Sequence, residues 1–422
     1  MARSTVAFSQ VSALEILDSR GNPTVQVTVV SDDGATYVAG VPSGASTGSR
    51  EAVELRDGDR ARYAGKGVTQ AVGHVAGEIA DLLRGRTWSS LAELDDALIA
   101  LDGTPTKARL GANAIVGTSM AAARAFAGAT PLWQSLQPAG VSPRLPVPHF
   151  NVLNGGVHAP NNLDFQEFMV APIGAPSFPE ALRAGATVYA KLRALLQARG
   201  EATGLGDEGG FAPNIAKPED VLALIVQAIT DAGYPTGRAG VAIAMDPASS
   251  EFYRDGAYHV AGETLSSDDM IARYEEIAKD FPVWLLEDGL AESDWDGWQR
   301  LTARLGDQLE LVGDDIFVTN PAIIAEAIKL KVGNAALIKV NQIGSITETL
   351  EAQRICREAG YAQFVSHRSG ETSDTFIADL TVATGAGHLK TGAPARGERV
   401  AKYNRLLEIA AAHPELPYGL AG

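Results

Sequence analysis

A chain of 422 residues, 45% hydrophobic and 20% charged, has the composition of a globular protein with large cores. Its length suits two domains, or one large barrel with an added unit. The formal net charge of −16 argues against a nucleic-acid binder, which needs a basic face, and disfavours an anionic membrane surface. An anionic small molecule still fits, provided local cations or bound metal invert the sign at the site.

The N-terminus "MARSTVAFSQVSALEILDSRG" has no apolar signal core. "TVQVTVVSDDGATYVAGVPSG" reads as two extended runs turned at Asp33-Gly34. Within it begins "VPSGASTG", residues 41–48, small and polar, read either as a closing lid with hydroxyl ligands or as a surface turn. Helical patterns follow at about 68–84, 89–101 and 111–128. The last is rich in small residues and interrupted by Asn113 and Arg124, so it reads as a buried helix. No stretch has the roughly 18 apolar residues of a membrane span. Pro138, Pro143, Pro146 and Pro148 prevent a helix over 137–150. The domain boundary is placed there, giving units 1–137, α+β in character, and 138–422.

The second unit repeats a short apolar run followed by a helix. "VAIAMDP" precedes a helix near 268–279 and "VWLLEDG" one near 294–305. "LELVGDD" precedes "TNPAIIAEAIKL", with Thr319 or Asn320 as cap and Pro321 in the first turn. "AALIKVNQ" precedes a Ser345…Glu348 capping box whose helix stops at Gly360. Cys356 lies in that helix and reads as a packing residue. As the lone cysteine it excludes an internal disulfide and fits a reducing cytoplasm. "AQFVSHRSG" and "GHLKTGAPAR" complete the set. Residues 287, 314, 339, 367 and 390 are 27, 25, 28 and 23 apart, one strand plus one helix each time. The fold class is α/β, a β/α barrel with a smaller N-terminal domain. A doubly wound sheet would give the same spacing.

Each apolar run carries a charged residue at or near its end: Asp246, Glu287, Asp314, Lys339, His367 with Arg368, and Lys390. Unpaired buried charge is costly, and one such residue is more often a solvated strand end. Six in succession point to the barrel mouth, where strand C-termini converge. Asp246, Glu287 and Asp314, with no cysteine near, favour a hard cation such as Mg²⁺. The alternative is a carboxylate cluster neutralised by the lysines and Arg368. Burial and neighbouring cations would lower the Lys339 pKa and make it a base, while a salt bridge to a barrel carboxylate is the competing reading. Arg368 suits a phosphate and Lys390 a developing oxyanion. His158, Gln166 and Glu167 stand in "NVLNGGVHAPNNLDFQEF".

"GLGDEGGF" matches a dinucleotide fingerprint through Gly204, Gly206 and Gly209. A helical run precedes it, Pro213 and Pro218 follow it, and Asp207 and Glu208 would repel a pyrophosphate. The glycines instead mount Glu208 toward the mouth.

With "LDSRGNPTV", "PSGASTGSREAVELRDGD", "LPVPHFNVLNGG", "GDEGGFAPN", "LEDGLAESDWDGW", "LIKVNQIGS", "SHRSGET" and "KTGAPARGERVAKYN" in order, the chain closely resembles the bacterial type of the enolase family over almost its whole length. The resemblance implies an eight-stranded barrel that begins ββαα with one antiparallel strand. It also implies reversible dehydration of 2-phosphoglycerate to phosphoenolpyruvate, two Mg²⁺ per site, a homodimer or larger homo-oligomer, and a cytoplasmic location with surface display as a second one. By the same resemblance Asp246, Glu287 and Asp314 hold the first Mg²⁺ and Ser46 in the lid helps hold the second. Lys339 is the C2 base, and a neutral Glu208 is the acid at the C3 hydroxyl. His158, Gln166, Glu167, Arg368, Ser369 and Lys390 contact substrate, with His367 beside them. Pro160 departs from the family's usual polar or small residue and is expected to alter loop closure. It motivates an alternative substrate, a related phospho- or phosphonoglycerate. A non-catalytic structural or binding protein on the same scaffold is a third reading, which needs none of these catalytic residues.

Overall fold

Strands β1 (Val6–Leu17), β2 (Pro23–Ser31) and β3 (Thr36–Gly40) form an antiparallel meander in the computed structural model, which describes residues 2–420. The short β4 (Thr87–Trp88) pairs with the start of β1, giving the order β3-β2-β1-β4. The β2–β3 turn falls at Asp33-Gly34, where Gly34 takes φ +85°. Helix 112–127 packs on β2 and β3, and small residues make that approach close. A Cβ on Gly117 would lie 2.7 Å from Val27 and 2.8 Å from Val41. Fifteen of the helix's sixteen residues are buried, all but Arg124. The predicted helix over 68–84 is interrupted by a π turn at Val75–Ile79, where Gly77 leaves helical geometry.

The second unit is a closed barrel of β5 (Val147–Asn154), β6 (Glu167–Ala171) and β7 (Ala242–Asp246), then five more strands after an excursion. The excursion is a small antiparallel sheet of β8 (Tyr253–Arg254), β9 (Ala257–Val260) and β10 (Glu263–Leu265). The remaining barrel strands are β11 (Val283–Glu287), β12 (Glu310–Gly313), β13 (Ala335–Ile338), β14 (Ala362–Ser366) and β15 (Gly387–Lys390). β6 is antiparallel to both β5 and β7, and every other neighbouring pair is parallel. Helices 178–198 and 218–231 lie between β6 and β7, so the expected ββαα opening is present.

The barrel strands are buried on both faces, which is why they read as continuous apolar runs. Val147, Met169, Ala244, Leu285, Val312, Leu337 and Phe364 belong to one core cluster, while a larger one joins the helices to the sheets. Each fully buried aliphatic side chain contributes about 1.5–3 kcal/mol of transfer free energy. Asn320 caps its helix by accepting from the N–H groups of Ala322 and Ile323, with Pro321 behind it. Ser345 accepts from Glu348 N–H, but here the Ser345 hydroxyl, at 2.6 Å, donates to the Glu348 carboxylate. Gly360 ends that helix at φ +73°. Arg124 to Asp374 (2.6 Å) and Asp95 to Thr347 (2.9 Å to the amide) tie the N-terminal unit to the barrel.

Candidate active site

The strand ends deliver the expected side chains to one mouth. Asp246, Glu287 and Lys390 are the last residues of β7, β11 and β15, while Asp314 and Lys339 directly follow β12 and β13. His367, Arg368 and Ser369 follow β14. Glu167 is the first residue of the reversed β6, opposite Asp246, so it enters the mouth from the other direction. His158 and Gln166 lie in the β5–β6 connection, and Glu208 in the crossing between helices 178–198 and 218–231. All the predicted residues except Glu287 line one small cavity, joined by Ser366. Glu287 reaches it through Lys390.

The lid lies over this cavity. Ser43 exchanges backbone hydrogen bonds with Gly370 (2.7 and 2.8 Å), and Arg368 donates to the Ser46 carbonyl at 3.2 Å. Arg368 is also gripped in a fork by Glu51 (2.9 and 3.0 Å) and by Asn341 (3.1 Å). The Cβ of an alanine at Gly44 would lie 2.1 Å from the Arg368 guanidinium, so that glycine is needed for the close approach. Pro160 is exposed, and Asn161 anchors its loop to the Asn154 and Pro213 carbonyls (3.0 and 2.9 Å). Pro160 does not line the cavity.

Lys390 Nζ is surrounded by Glu287 (2.8 and 2.9 Å), Asp246 (3.1 Å) and Glu167 (3.0 Å). Burial opposes its charge, but these carboxylates outweigh burial and raise its pKa well above the ordinary value. Lys339 Nζ donates to Asp314 Oδ2 at 2.6 Å. Burial, Arg368 and Lys390 act to lower the Lys339 pKa, yet the Asp314 contact raises it overall. Of the two readings left open by the sequence, the salt bridge to a barrel carboxylate is the one present in this geometry, and it raises the Lys339 pKa.

Glu208 and Glu167 are shifted in opposite directions. Glu208 Oε2 accepts from Asn151 Nδ2 and lies 3.0 Å from each of Asn151 and His367 Nε2. Burial pushes its carboxyl up, but the His367 and His158 imidazoles and the His367 hydrogen bond hold it well below the usual range. Burial and the nearby Glu208 push Glu167 well above that range, partly offset by Lys390. Glu167 Oε2 is close to Lys390 but too poorly angled for a hydrogen bond. The two carboxyls are thus driven in opposite directions, Glu208 down and Glu167 up. His158 Nε2 meets the Ser369 hydroxyl at 2.9 Å, while its Nδ1 lies 3.5 Å from Glu167 and 3.8 Å from Glu208.

The three predicted metal ligands do not form a single tight cluster, because Lys390 bridges Asp246 and Glu287 while Asp314 faces Lys339. Asp314 instead converges with Asp288 and Asp315, oxygens within 4.8 Å of one another. Asp288 braces that turn by accepting from the Asp314 and Asp315 N–H groups (2.8 and 2.9 Å). Burial first, then mutual repulsion, pushes Glu287, Asp288 and Asp315 well above the carboxylate range. An all-oxygen donor set with more buried carboxylates than Lys339, Lys390 and Arg368 can neutralise fits a hard divalent cation. Asp288, Asp315, Glu51, Asn151 and Arg399 escaped the sequence reading. The doublets Glu287-Asp288 and Asp314-Asp315 were the available signal for the first two.

Family models match both units: the enolase N-terminal domain over residues 8–136 and the enolase C-terminal TIM barrel domain over 142–415. A curated protein named enolase from Acidothermus cellulolyticus is 57% identical over 401 residues, 94% of this chain and 93% of its own. Another so named, from Beutenbergia cavernae, is 55% identical over 400 residues, 94% of each chain.

Proposed function

The chain belongs to the enolase family, and from that premise we propose which of its residues perform the family's reaction. It is a hydro-lyase, phosphopyruvate hydratase, that interconverts 2-phosphoglycerate and phosphoenolpyruvate. We read residues 1–137 as the capping unit that carries the lid and 138–422 as the catalytic barrel.

Removing the C2 proton puts a second negative charge on the substrate carboxylate, and expelling hydroxide from C3 needs a proton donor. Lys339 is assigned as the base. Released from Asp314, it keeps the burial and the Arg368 and Lys390 charges that lower its pKa. Glu208 is assigned as the acid, with Glu167, whose carboxyl burial and Glu208 push up, within 4.8 Å of it. The preformed cation of Lys390 faces the growing charge. Arg368, with Ser46 and the lid, holds the phosphate, and His158, Gln166, Ser369 and His367 orient the rest. Mg²⁺ held by Asp246, Glu287 and Asp314, with a second ion reaching Ser46, would supply positive charge to the carboxylate.

The observation that carries these assignments is the convergence of base, acid, cations and carboxylates on one closed cavity. With Mg²⁺, the protein is expected to turn over 2-phosphoglycerate, followed by enol absorbance, with higher kcat/KM than on phosphonate analogues. The reverse preference would overturn the substrate assignment.

Leu14 and Leu17 on β1 are 59% and 56% exposed, which supports a homo-oligomer, to be checked by light scattering. No helix among the described residues is long and apolar enough to cross a membrane. The buried free thiol of Cys356 supports the cytoplasm as the location.

A further inference from the structure

Arg399 is fully buried in helix 397–412, behind the site rather than in it. It does not line the catalytic cavity. Its Nη1 lies 2.7 Å from His367 Nδ1 and donates to the Arg368 carbonyl at 2.6 Å. Its Nη2 donates to the Asp207 carbonyl (3.1 Å) and the Ser19 hydroxyl (3.3 Å). One guanidinium thus ties the residues next to Glu208 and those next to His367 to the N-terminal unit.

A guanidinium has donors only and keeps its proton in proteins. A contact of 2.7 Å to Nδ1 therefore requires that nitrogen to offer its lone pair. The single proton of the neutral ring must then sit on Nε2, which faces Glu208 Oε2 at 3.0 Å. A protonated imidazole would point an N–H at an N–H. Burial pushes the His367 pKa down to about 3, and the Arg399 charge reinforces this while Glu208 opposes it.

Glu208 Oε2 then has two N–H donors, His367 and Asn151. Glu208 Oε1 has no comparable donor: the His158 Nδ1 lies 3.8 Å from it. The His158 Nδ1 has no hydrogen-bond partner. The two carboxylate oxygens are therefore unequal. Protonation of Oε2 would place its proton against two donors, whereas Oε1 is open on the side that faces His158 and Glu167.

We infer that Arg399 is a positioning residue that holds His367 as its Nε2–H tautomer and so reserves Glu208 Oε1 as the oxygen that carries the transferable proton. The inference rests on the assignment of Glu208 as the acid, but its first test does not measure activity. His367 cannot serve as the acid in this arrangement, since its one proton is committed to Glu208 and Arg399 bars a second. The charged groups facing the ring are Glu208, Arg399 and Lys390.

The test is the ring-nitrogen spectrum of ¹⁵N-histidine-labelled protein, with His367 assigned by His367→Gln. Expected is a bare Nδ1 and a protonated Nε2 from pH 6 to pH 9. A protonated Nδ1 in the wild-type protein overturns the inference outright, whatever the variants do. Arg399→Gln keeps one N–H for Nδ1, and Arg399→Met keeps none. The methionine variant is expected to populate the Nδ1–H tautomer and to lose at least about tenfold in kcat with a much smaller change in KM. The glutamine variant is expected to restore the wild-type tautomer and part of that kcat. Equal kcat losses in both variants with His367 still Nε2–H in each would reduce Arg399 to a structural tie and overturn the inference. If Glu208 is not the acid, Glu208→Gln retains turnover while the tautomer result stands, so the two failures are distinguishable.

Discussion

Glu208→Gln separates shape from proton supply. Glutamine has the same outline, and the surroundings fix its orientation: its amide oxygen replaces Oε2, accepting from Asn151 and His367 at 3.0 Å. The amide NH₂ then replaces Oε1 near His158 Nδ1, which has no other hydrogen-bond partner. Two charge-assisted hydrogen bonds become neutral ones, but a buried charge also disappears, so the stability change is held to within about 2 kcal/mol. The chemical loss is larger, since a positioned acid contributes about 10²–10⁴-fold, or roughly 3–5 kcal/mol of barrier. Two assays read the outcome on the same protein: enol absorbance for the full reaction, and exchange of the C2 hydrogen with deuterated solvent for the first step alone. Full turnover is expected to fall by two orders of magnitude or more while C2 exchange continues. A fall of less than about tenfold in kcat, or parallel loss of exchange and turnover, would refute the assignment of Glu208 to the second step.

Lys339→Ala is expected to abolish C2 exchange together with turnover; exchange at the wild-type rate would remove Lys339 as the base. Mg²⁺ at about a hundred times its Kd should stabilise the protein by about 2.7 kcal/mol, and the shift in melting temperature should shrink sharply in Asp314→Asn. An equal shift in both proteins would exclude Asp314 as a ligand. Asp95 is buried and accepts from Thr347 N (2.9 Å) and Oγ1 (2.6 Å), and burial raises its pKa from 3.8 to about 6. With the folded pKa above the unfolded one, the folded state binds the extra proton, so stability falls as pH rises from about 4 to about 6 and stays low above, by roughly 3 kcal/mol. Asp95→Asn should therefore melt higher than wild type at pH 8, with the gap closing at pH 4; a gap of equal size at both pH values would refute this. At Gly185 an added Cβ would lie 2.1 Å from the buried Phe150 ring, so Gly185→Ala should cost about 1–3 kcal/mol despite its better helix propensity. An unchanged or raised melting temperature would count against that packing.

The barrel was legible because strands buried on both faces must be apolar, so a charge at each strand end stood out. β1 was not legible. Its register shifts between Phe8 and Gln10, which moves the buried positions from Val6 and Phe8 to Val11, and Leu14 and Leu17 are exposed. The reversed β6 came only from family resemblance, since an apolar run carries no direction. Among site residues, Glu51 was lost in the charge-rich "SREAVELRDGD", where an acid looks solvated until Arg368 is folded against it. Arg399 was hidden in the same way in "ARGERVAKYN". The pKa shifts of Lys339, Glu167 and Glu208 were illegible because they depend on partners distant in the chain: Asp314 lies 25 residues from Lys339, and His367 lies 159 from Glu208.

The reversed strand also settles a matter of counting. A chain that climbs the barrel in β5 and descends in β6 finishes at the floor, whereas every ordinary β/α unit leaves its strand at the mouth. To start β7 from the floor, the chain must make an even number of further traverses, and one helix is not enough. The 21-residue helix 178–198 rises about 32 Å, and helix 218–231 comes back down. The bend between them is forced to occur at the top, where Phe211 N–H meets the Val152 carbonyl and its own carbonyl receives Asn154 N–H. Glu208 stands in that bend. A loop between two helices thereby reaches a mouth otherwise built from strand ends, and Glu208 enters it from a part of the chain that a uniformly parallel barrel would keep on its outside.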